Sequence, residues 1–291
     1  MATLPSGPAP AAPVASPPAP AGSVRPPSPR FRGRRPLVIA VVVAVVLAGV
    51  LGALVVLGSS SPAPPPTFSQ AWGEANGSVA NVSGGGWTLL VALGLDQRTG
   101  ATVSVAAATN TTASACTPVA IGSAPLPTNL TIPGYGGSFG AGRAPLWLFV
   151  YRQSSSGPYL LADVTGGGAA AVAELTGSAC ASNLSAISPI PAKFVDSPAV
   201  AASAWSGSVD ASGFVAGDPA IDTLVMVAAG ASTHGGFPLP AGWLLEYAPC
   251  GPFVTGTLTQ ETTFVAAFDA SGSVVFGSPF TSTTGCPASA S

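Results

Sequence analysis

The sequence predicts a single transmembrane helix followed by a β-rich, antiparallel ectodomain, all-β or α+β, that arose by internal duplication and is cross-linked by two disulfides. Three observations lead to this fold class. An unbroken apolar run covers residues 37–57. Charged residues are only 7% of the chain, and abundant Gly, Ala, Ser, Thr and Pro favour strands and turns over long surface helices. All four cysteines follow the apolar run.

The N-terminal segment, residues 1–35, is rich in proline and alanine and carries five arginines but no acid. Such a composition buries too little apolar surface to offset the entropy of ordering the chain, so we expect a disordered tail. On the other side of the apolar run, residues 59–66 (SSSPAPPP) form a short Ser/Pro stalk in this interpretation.

The apolar run predicts a transmembrane helix over residues 36–58. A helix of about 21 residues rises roughly 31 Å, which is enough to cross a hydrocarbon core. Five arginines and no acid precede the run. The positive-inside rule therefore places the N-terminus in the cytoplasm and the C-terminal domain outside the cell membrane. A cleaved signal peptide and a twin-arginine export signal stay open as alternatives.

Small residues recur at every fourth position of this helix, at Ala40, Ala44, Ala48 and Gly52. Such a stripe lets transmembrane helices approach closely, so self-association is one predicted interaction. Alanine is common throughout the chain, and composition alone is the alternative explanation. The outer part has four basic residues against eleven acids, and without a basic patch it has no electrostatic footprint for nucleic acid.

The cysteines all lie on the predicted outer side, where an oxidising environment and an even count indicate two disulfides. They are Cys116, Cys180, Cys250 and Cys286. If the two halves fold separately, the expected pairs are Cys116–Cys180 and Cys250–Cys286. A zinc site is the alternative, but the chain has no C-x-x-C pair and a single histidine.

Every asparagine of the chain begins an N-x-S/T sequon, which is far from a chance distribution. We predict that these asparagines are glycan acceptors on exposed loops. The five are Asn76, Asn81, Asn110, Asn129 and Asn183.

Two stretches of the outer part resemble each other, and we interpret them as repeats spanning residues 67–190 and 191–291. Each has a tryptophan, a strand beginning Thr-Leu, a second tryptophan and a closing cysteine. The matched pairs are Trp72 with Trp205, Thr88 with Thr223, Trp147 with Trp243, and Tyr151 with Tyr247. We expect the matched tryptophans to anchor the core of each half.

Local signals favour antiparallel hairpins with turns at residues 96–100 and 269–272, where glycine allows a positive φ. Each half also begins with a predicted helix. Thr67 and Gln70 form a capping box, and Ser197 is an N-cap followed by proline.

A catalytic triad is the sharpest chemical hypothesis, because residues 136–140 match G-x-S-x-G around Ser138, with Asp163 or Asp210 and then His234 downstream. The flanking prolines and glycines do not predict the strand and helix that a nucleophile elbow needs. Asp210, Asp218 and Asp222 could hold calcium, but their spacing fits no standard loop.

We therefore predict no catalytic, cofactor-binding or metal-binding residue. The expected function is a single-pass, membrane-anchored extracytoplasmic glycoprotein with a non-enzymatic role in binding, adhesion or envelope structure. Its predicted partners are the membrane and an unidentified extracellular ligand. The alternatives are a membrane-tethered extracytoplasmic hydrolase and a processed pilus-like surface subunit.

Overall fold

The structure is a computed structural model that describes residues 64–99, 101–104, 117–121, 129–132, 134–135, 139–165, 170–207, 209–234, 237–250 and 259–284. The predicted tail, the transmembrane run with its small-residue stripe, and most of the stalk lie outside these ranges. None of the helices in the described ranges is both long and apolar enough to cross a membrane.

Four helices and thirteen strands make up the described part. The helices are α1 Phe68–Ser83, α2 Ser178–Ser185, α3 Ser197–Ser206 and α4 Ala211–Gly217, with a 3-10 turn at Phe139–Ala141. The strands of the first half are β1 Thr88–Gln97, β2 Ala101–Ser104, β3 Thr117–Ala120, β4 Asn129–Ile132, β5 Leu146–Arg152, β6 Tyr159–Thr165 and β7 Ala171–Thr176. Those of the second half are β8 Thr223–Ala229, β9 Ser232–His234, β10 Phe237–Leu239, β11 Gly242–Ala248, β12 Thr259–Asp269 and β13 Val274–Thr284.

Nine strands form one antiparallel sheet in the order β13-β12-β11-β8-β1-β5-β6-β7-β3. The prediction of a β-rich, antiparallel fold is therefore confirmed. Strands β1 and β8 pair at the centre. Outward from β8 come β11, β12 and β13, and outward from β1 come β5, β6 and β7, with β3 at the edge beyond β7. The two remaining pairs, β2 with β4 and β9 with β10, form small separate sheets.

Helices cover the sheet on both faces. The larger hydrophobic cluster joins α1, α3 and α4 to one face, and it draws residues from both halves of the chain. Phe68 of α1 lies at its centre, with its ring centroid 5.9 Å from that of Trp147 and 5.1 Å from that of Trp243. The second cluster covers the other face, where Leu184 of α2 belongs to the same group of buried side chains as aliphatic residues of β1, β5 and β7.

The local predictions had mixed outcomes. The capping box at Thr67 is confirmed, because its side chain accepts from the Gln70 N–H and the Gln70 side chain accepts from the Thr67 N–H. The turn at residues 269–272 is also confirmed, since it joins β12 to β13 and Gly272 has φ +87°. The predicted N-cap of α3 was wrong by one residue. The N-cap is Asp196 rather than Ser197, and the Asp196 carboxylate accepts from the Ser197 N–H.

The predicted hairpin around residues 96–100 is wrong. Strand β1 runs on through Gln97, both of its edges are taken by β5 and β8, and β2 pairs with β4 instead. Asp96 and Gln97 are therefore buried in the centre of the sheet rather than exposed in a turn.

Candidate functional site

A groove of about 410 Å³ lies beside the C-terminal half of α1, and we call it the α1 groove. Its walls are Trp72, Asn76 and Val79 of the helix, the loop of residues 84–87 that leads into β1, and Ile190 from the segment after α2. This volume lies within the range of sites that hold small molecules.

The groove forms where α1 ends and the chain turns toward β1. Gly84 caps the helix with φ +78°, its N–H donates to the Ala80 carbonyl at 3.1 Å, and Gly86 follows with φ +90°. Positive φ values favour glycine, so the turn directly after α1 consists of glycines and has no side chains. The opposite wall is fixed by a hydrogen bond of 2.8 Å from the Ile190 N–H to the Leu89 carbonyl.

Two partly exposed indoles, Trp72 and Trp87, form the aromatic surface of the groove. The Trp72 ring lies 5.4 Å from the Phe68 ring, which holds it against the core. Both indole nitrogens are buried, and the Trp87 N–H has no hydrogen-bond partner among the described residues, whereas the Trp72 side chain interacts with the Tyr151 hydroxyl. An unpaired buried donor costs about 1–3 kcal/mol, so the Trp87 N–H gains most from an acceptor that a ligand brings.

Tyr151 lies behind the groove, on the same sheet face as Trp147. Burial raises the pKa of the Tyr151 hydroxyl far above its usual range, and a side-chain hydrogen bond with Trp72 opposes this rise. Tyr151 therefore stays neutral at every physiological pH and adds a polar but uncharged group to this region.

No titratable side chain lines the groove within the described ranges. The polar side chains of the lining are the amide of Asn76, which is exposed, and the hydroxyl of Thr88, which donates to the Arg152 carbonyl at 3.0 Å. The lining thus offers aromatic surface, amide and indole groups. These groups suit the binding of a neutral ligand better than acid–base or nucleophilic chemistry.

A second polar cluster lies at the far end of β1. Asp96 is completely buried, and neither of its carboxyl oxygens has a hydrogen-bond partner among the described residues. Burial raises the pKa of Asp96 to about 7, against the opposing charge of Arg98 and with a smaller upward contribution from Asp222. The Arg98 guanidinium lies 4.6 Å from the centre of the Phe139 ring and donates to the Ile221 carbonyl at 3.3 Å.

Asp96 itself is completely buried, so the α1 groove is the better candidate for a binding site. Sequence reasoning missed both features. It interpreted Asp96 as a turn residue and Trp72 as a core anchor, and it did not use Trp87. The available signal was Trp87 itself, an unmatched tryptophan directly after three glycines.

The structure places two predicted glycan acceptors, Asn76 and Asn81, at exposed positions of α1 rather than in loops. Asn129 begins β4 and Asn183 lies in α2, while Asn110 is outside the described residues. Glycosylation of all five stays a prediction.

Of the cysteines, Cys180 lies in α2 and Cys250 follows β11. The other two, Cys116 and Cys286, fall outside the described ranges. The predicted pairing therefore stays a prediction.

The residues of the hypothetical catalytic triad lie in different structural elements. Asp163 is buried in β6, where it accepts from the Ala171 N–H at 3.1 Å, and burial raises the pKa of this carboxyl to about 8. Asp210 caps α4 by accepting from the Gly213 N–H, and His234 ends β9. Ser138 lies outside the described residues, so the triad itself is not tested.

The three aspartates that were candidate calcium ligands accept hydrogen bonds from neighbouring groups instead. Asp210 caps α4, Asp218 accepts from the Ala220 N–H at 3.0 Å, and Asp222 accepts from the Thr99 hydroxyl. Within the described part of the chain, no group of three or more His, Cys, Asp or Glu side chains is placed to hold a metal ion.

Comparison of the chain with protein-family models, with curated proteins and with solved structures gave no match. The function is therefore argued from the residues and the geometry of the α1 groove.

Proposed function

We propose that the chain is a single-pass, membrane-anchored extracytoplasmic glycoprotein with a non-enzymatic binding role in adhesion or envelope structure, and that its α1 groove binds a neutral saccharide. The membrane anchor and its orientation rest on the apolar run and on the arginines before it. The binding role rests on one observation, the pair of partly exposed indoles that line the groove, of which Trp87 has an unpaired N–H group.

A saccharide suits this chemistry for two reasons. A pyranose ring has an apolar face of C–H groups that can lie flat against an indole, and aromatic side chains are strong contact surfaces of this kind. The ring also carries hydroxyl and ether oxygens, which can accept from indole or amide N–H groups. Because no charged side chain lines the groove in the described ranges, the ligand we propose is uncharged.

We also propose that the outer domain arose by duplication, and the register of the sheet supports this. Tyr151 pairs with Leu89 and Tyr247 pairs with Leu224, which are the second residues of β1 and β8. Four residues before each tyrosine comes a buried tryptophan.

The two tryptophans, Trp147 and Trp243, also make corresponding hydrogen bonds. The Trp147 indole donates to the Pro66 carbonyl at 3.0 Å, and the Trp243 indole donates to the Val195 carbonyl at 2.9 Å. Each carbonyl belongs to the residue just before the N-cap of the first helix of its half. Two disulfides are part of the same proposal, and the even number of cysteines on the predicted outer side supports it.

Two other classes of function stay as alternatives, a membrane-tethered hydrolase and a processed pilus-like subunit. The uncharged lining of the groove favours binding over hydrolysis. A serine-directed covalent probe that labels the protein, and fails to label Ser138→Ala, would support the hydrolase. A native N-terminus within the apolar run, measured by intact mass, would support the pilus-like subunit.

Saccharide binding is tested with the full-length protein in lipid nanodiscs, made in a host without N-glycosylation. Neutral mono- and oligosaccharides are titrated while the tryptophan signals are followed by NMR. We expect binding that Trp72→Ala abolishes. Trp205→Ala is the matched control, because Trp205 packs against Phe139 and Tyr247 instead of lining the groove. Absence of binding to the folded wild-type protein would refute the proposal, as would equal loss in both variants.

A further inference from the structure

We propose that Asn76 carries an N-linked glycan whose first sugar lies in the α1 groove, so that glycosylation closes the site to free saccharides. This inference rests on the proposed ability of the groove to bind a saccharide, and it names both an occupant and a means of regulation.

The position of Asn76 is the first reason. Asn76 begins the sequon Asn-Gly-Ser, its side chain is exposed, and it is itself part of the groove lining. It follows Trp72 by four residues in the same helix, a spacing that puts both side chains on one face. A sugar attached to the amide nitrogen therefore begins its path beside the Trp72 ring.

The space around Asn76 is the second reason. The glycines at 84, 85 and 86 form the rim of the groove, and no atom lies within 4 Å of where a Cβ would be at any of them. On the helix, Gly73 and Gly77 flank Asn76 and are exposed with equally open space. Glycine inside a helix is destabilising relative to alanine, and the described residues offer no close contact that requires it at these two positions. Bare backbone on both sides leaves room for a bulky substituent.

The unpaired Trp87 donor is the third reason. The buried N–H group of Trp87 has no acceptor among the described residues. A sugar that packs into the groove brings hydroxyl and N-acetyl oxygens to the two indole rings. The tethered sugar thus supplies an acceptor that the described protein lacks.

The neighbouring sequon provides a natural contrast. Asn81 lies on the same helix and is also exposed, but it does not line the groove. It follows Trp72 by nine residues, which corresponds to about 180° around an α-helix. A glycan on Asn81 therefore points away from the two indoles, and only the glycan on Asn76 has access to the groove.

The attachment is an ordinary substitution at carbon. The amide nitrogen of Asn76 attacks C1 of a sugar linked through phosphate or diphosphate to a polyprenyl lipid. The new C1–N bond forms as the C1–O bond to the phosphate breaks, the lipid phosphate leaves with the bonding electrons, and the amide loses one proton to solvent. The lipid-linked oligosaccharide is the co-substrate, and no redox change occurs.

Attachment turns the glycan into an intramolecular competitor. A ligand on a short tether has an effective concentration on the order of millimolar. A free saccharide of similar affinity must displace it. We therefore expect apparent affinity for free saccharide to fall by at least about tenfold when Asn76 is glycosylated.

The test uses the native glycosylated protein, Asn76→Gln and Asn81→Gln, each as the full chain in nanodiscs with 5-fluorotryptophan. Glycopeptide mass spectrometry first measures occupancy at Asn76. Fluorine NMR then compares the signals of Trp72 and Trp87, assigned by single substitutions. Finally, the neutral glycan released from the protein itself is titrated into all three forms.

We expect the Trp72 and Trp87 signals to move in Asn76→Gln and to stay unchanged in Asn81→Gln, with free glycan binding only to Asn76→Gln. An unmodified Asn76 in the native protein overturns the inference, and so do identical tryptophan signals in native protein and Asn76→Gln. Equal binding of free glycan to native protein and Asn76→Gln overturns the inference while the proposed function stands. Moved signals without binding of free glycan to any form overturn the proposed function and the claim that glycosylation closes the site, and only the packing of the Asn76 glycan in the groove then stands.

Discussion

Replacement of the buried carboxyl of Asp96 by an amide changes how stability depends on pH. Asp96 is 0% exposed, and burial raises its pKa from 3.8 to about 7. Because the folded-state pKa lies above the unfolded one, the folded protein keeps a proton that the unfolded chain loses between pH 4 and 7. The contribution of Asp96 to the free energy of unfolding is therefore greatest below about pH 4 and falls as the pH rises to 7.

The magnitude follows from the shift itself. A difference of about three pKa units corresponds to about 4 kcal/mol at 1.36 kcal/mol per unit. Such a loss is a large part of the 5–15 kcal/mol that is typical of whole domains. In Asp96→Asn this loss is removed, so we expect its free energy of unfolding, relative to wild type, to increase by up to about 4 kcal/mol between pH 4 and 8.

The assay is urea unfolding followed by tryptophan fluorescence, at half-unit steps from pH 4 to 8.5. Asp269→Asn is the control with the opposite sign. The Ser271 hydroxyl and nearby backbone N–H groups lower the pKa of Asp269, so its contribution is present at neutral pH and is lost in acid. Parallel stability curves for wild type and Asp96→Asn would refute the reasoning, because Asp96 would then be as well solvated in the folded protein as in the unfolded chain.

Three further predictions concern the core and the disulfides. Trp147→Phe and Trp243→Phe should each cost about 1–2 kcal/mol in the same unfolding assay, because each leaves one carbonyl without its indole donor; a cost in only one of them would argue against corresponding roles. Gly94→Ala should cost about 1–3 kcal/mol, since its Cβ would lie 2.7 Å from the Trp147 ring, whereas Gly73→Ala, with open space, should stabilise α1 by about 1 kcal/mol; equal effects would contradict this. Non-reducing peptide mapping should find two disulfides, and selective reduction of either should cost about 3.5–4.5 kcal/mol at most. The expected pairs are Cys116–Cys180 and Cys250–Cys286, and any other pairing would show that the disulfides cross between the halves.

Two local sequence signals predicted local structure correctly. The capping box at Thr67 and the turn at residues 269–272 are both fixed by residues within a few positions of each other, and the structure has both. The N-cap of α3 was predicted at Ser197, one residue after the true cap at Asp196, because Ser and Asp are both good N-cap residues. Here the Ser197 hydroxyl is taken by the Gly142 carbonyl, 55 residues away in the chain.

Features that depend on distant contacts were beyond the sequence. The polar residues after Leu95 are typical of an exposed turn, yet Asp96 is buried, because β1 continues beyond its pairing with β5 and Asp96 pairs with Leu224 of β8. The α1 groove joins Trp72, Trp87 and Ile190, which are up to 118 positions apart and become neighbours only when the helix lies on the sheet. Periodicity and motif spacing carry no information about such neighbours.

The central pairing of β1 with β8 has a consequence for how such a domain could begin. Under the proposed duplication, an ancestral chain of half this length would have left the inner edge of its sheet unpaired, and two identical copies could have joined there about a two-fold axis. Fusion of the two genes would have made that contact permanent and freed each copy to change separately. The α1 groove, with a tryptophan after three glycines that the other half lacks, would then be a feature acquired by one copy alone.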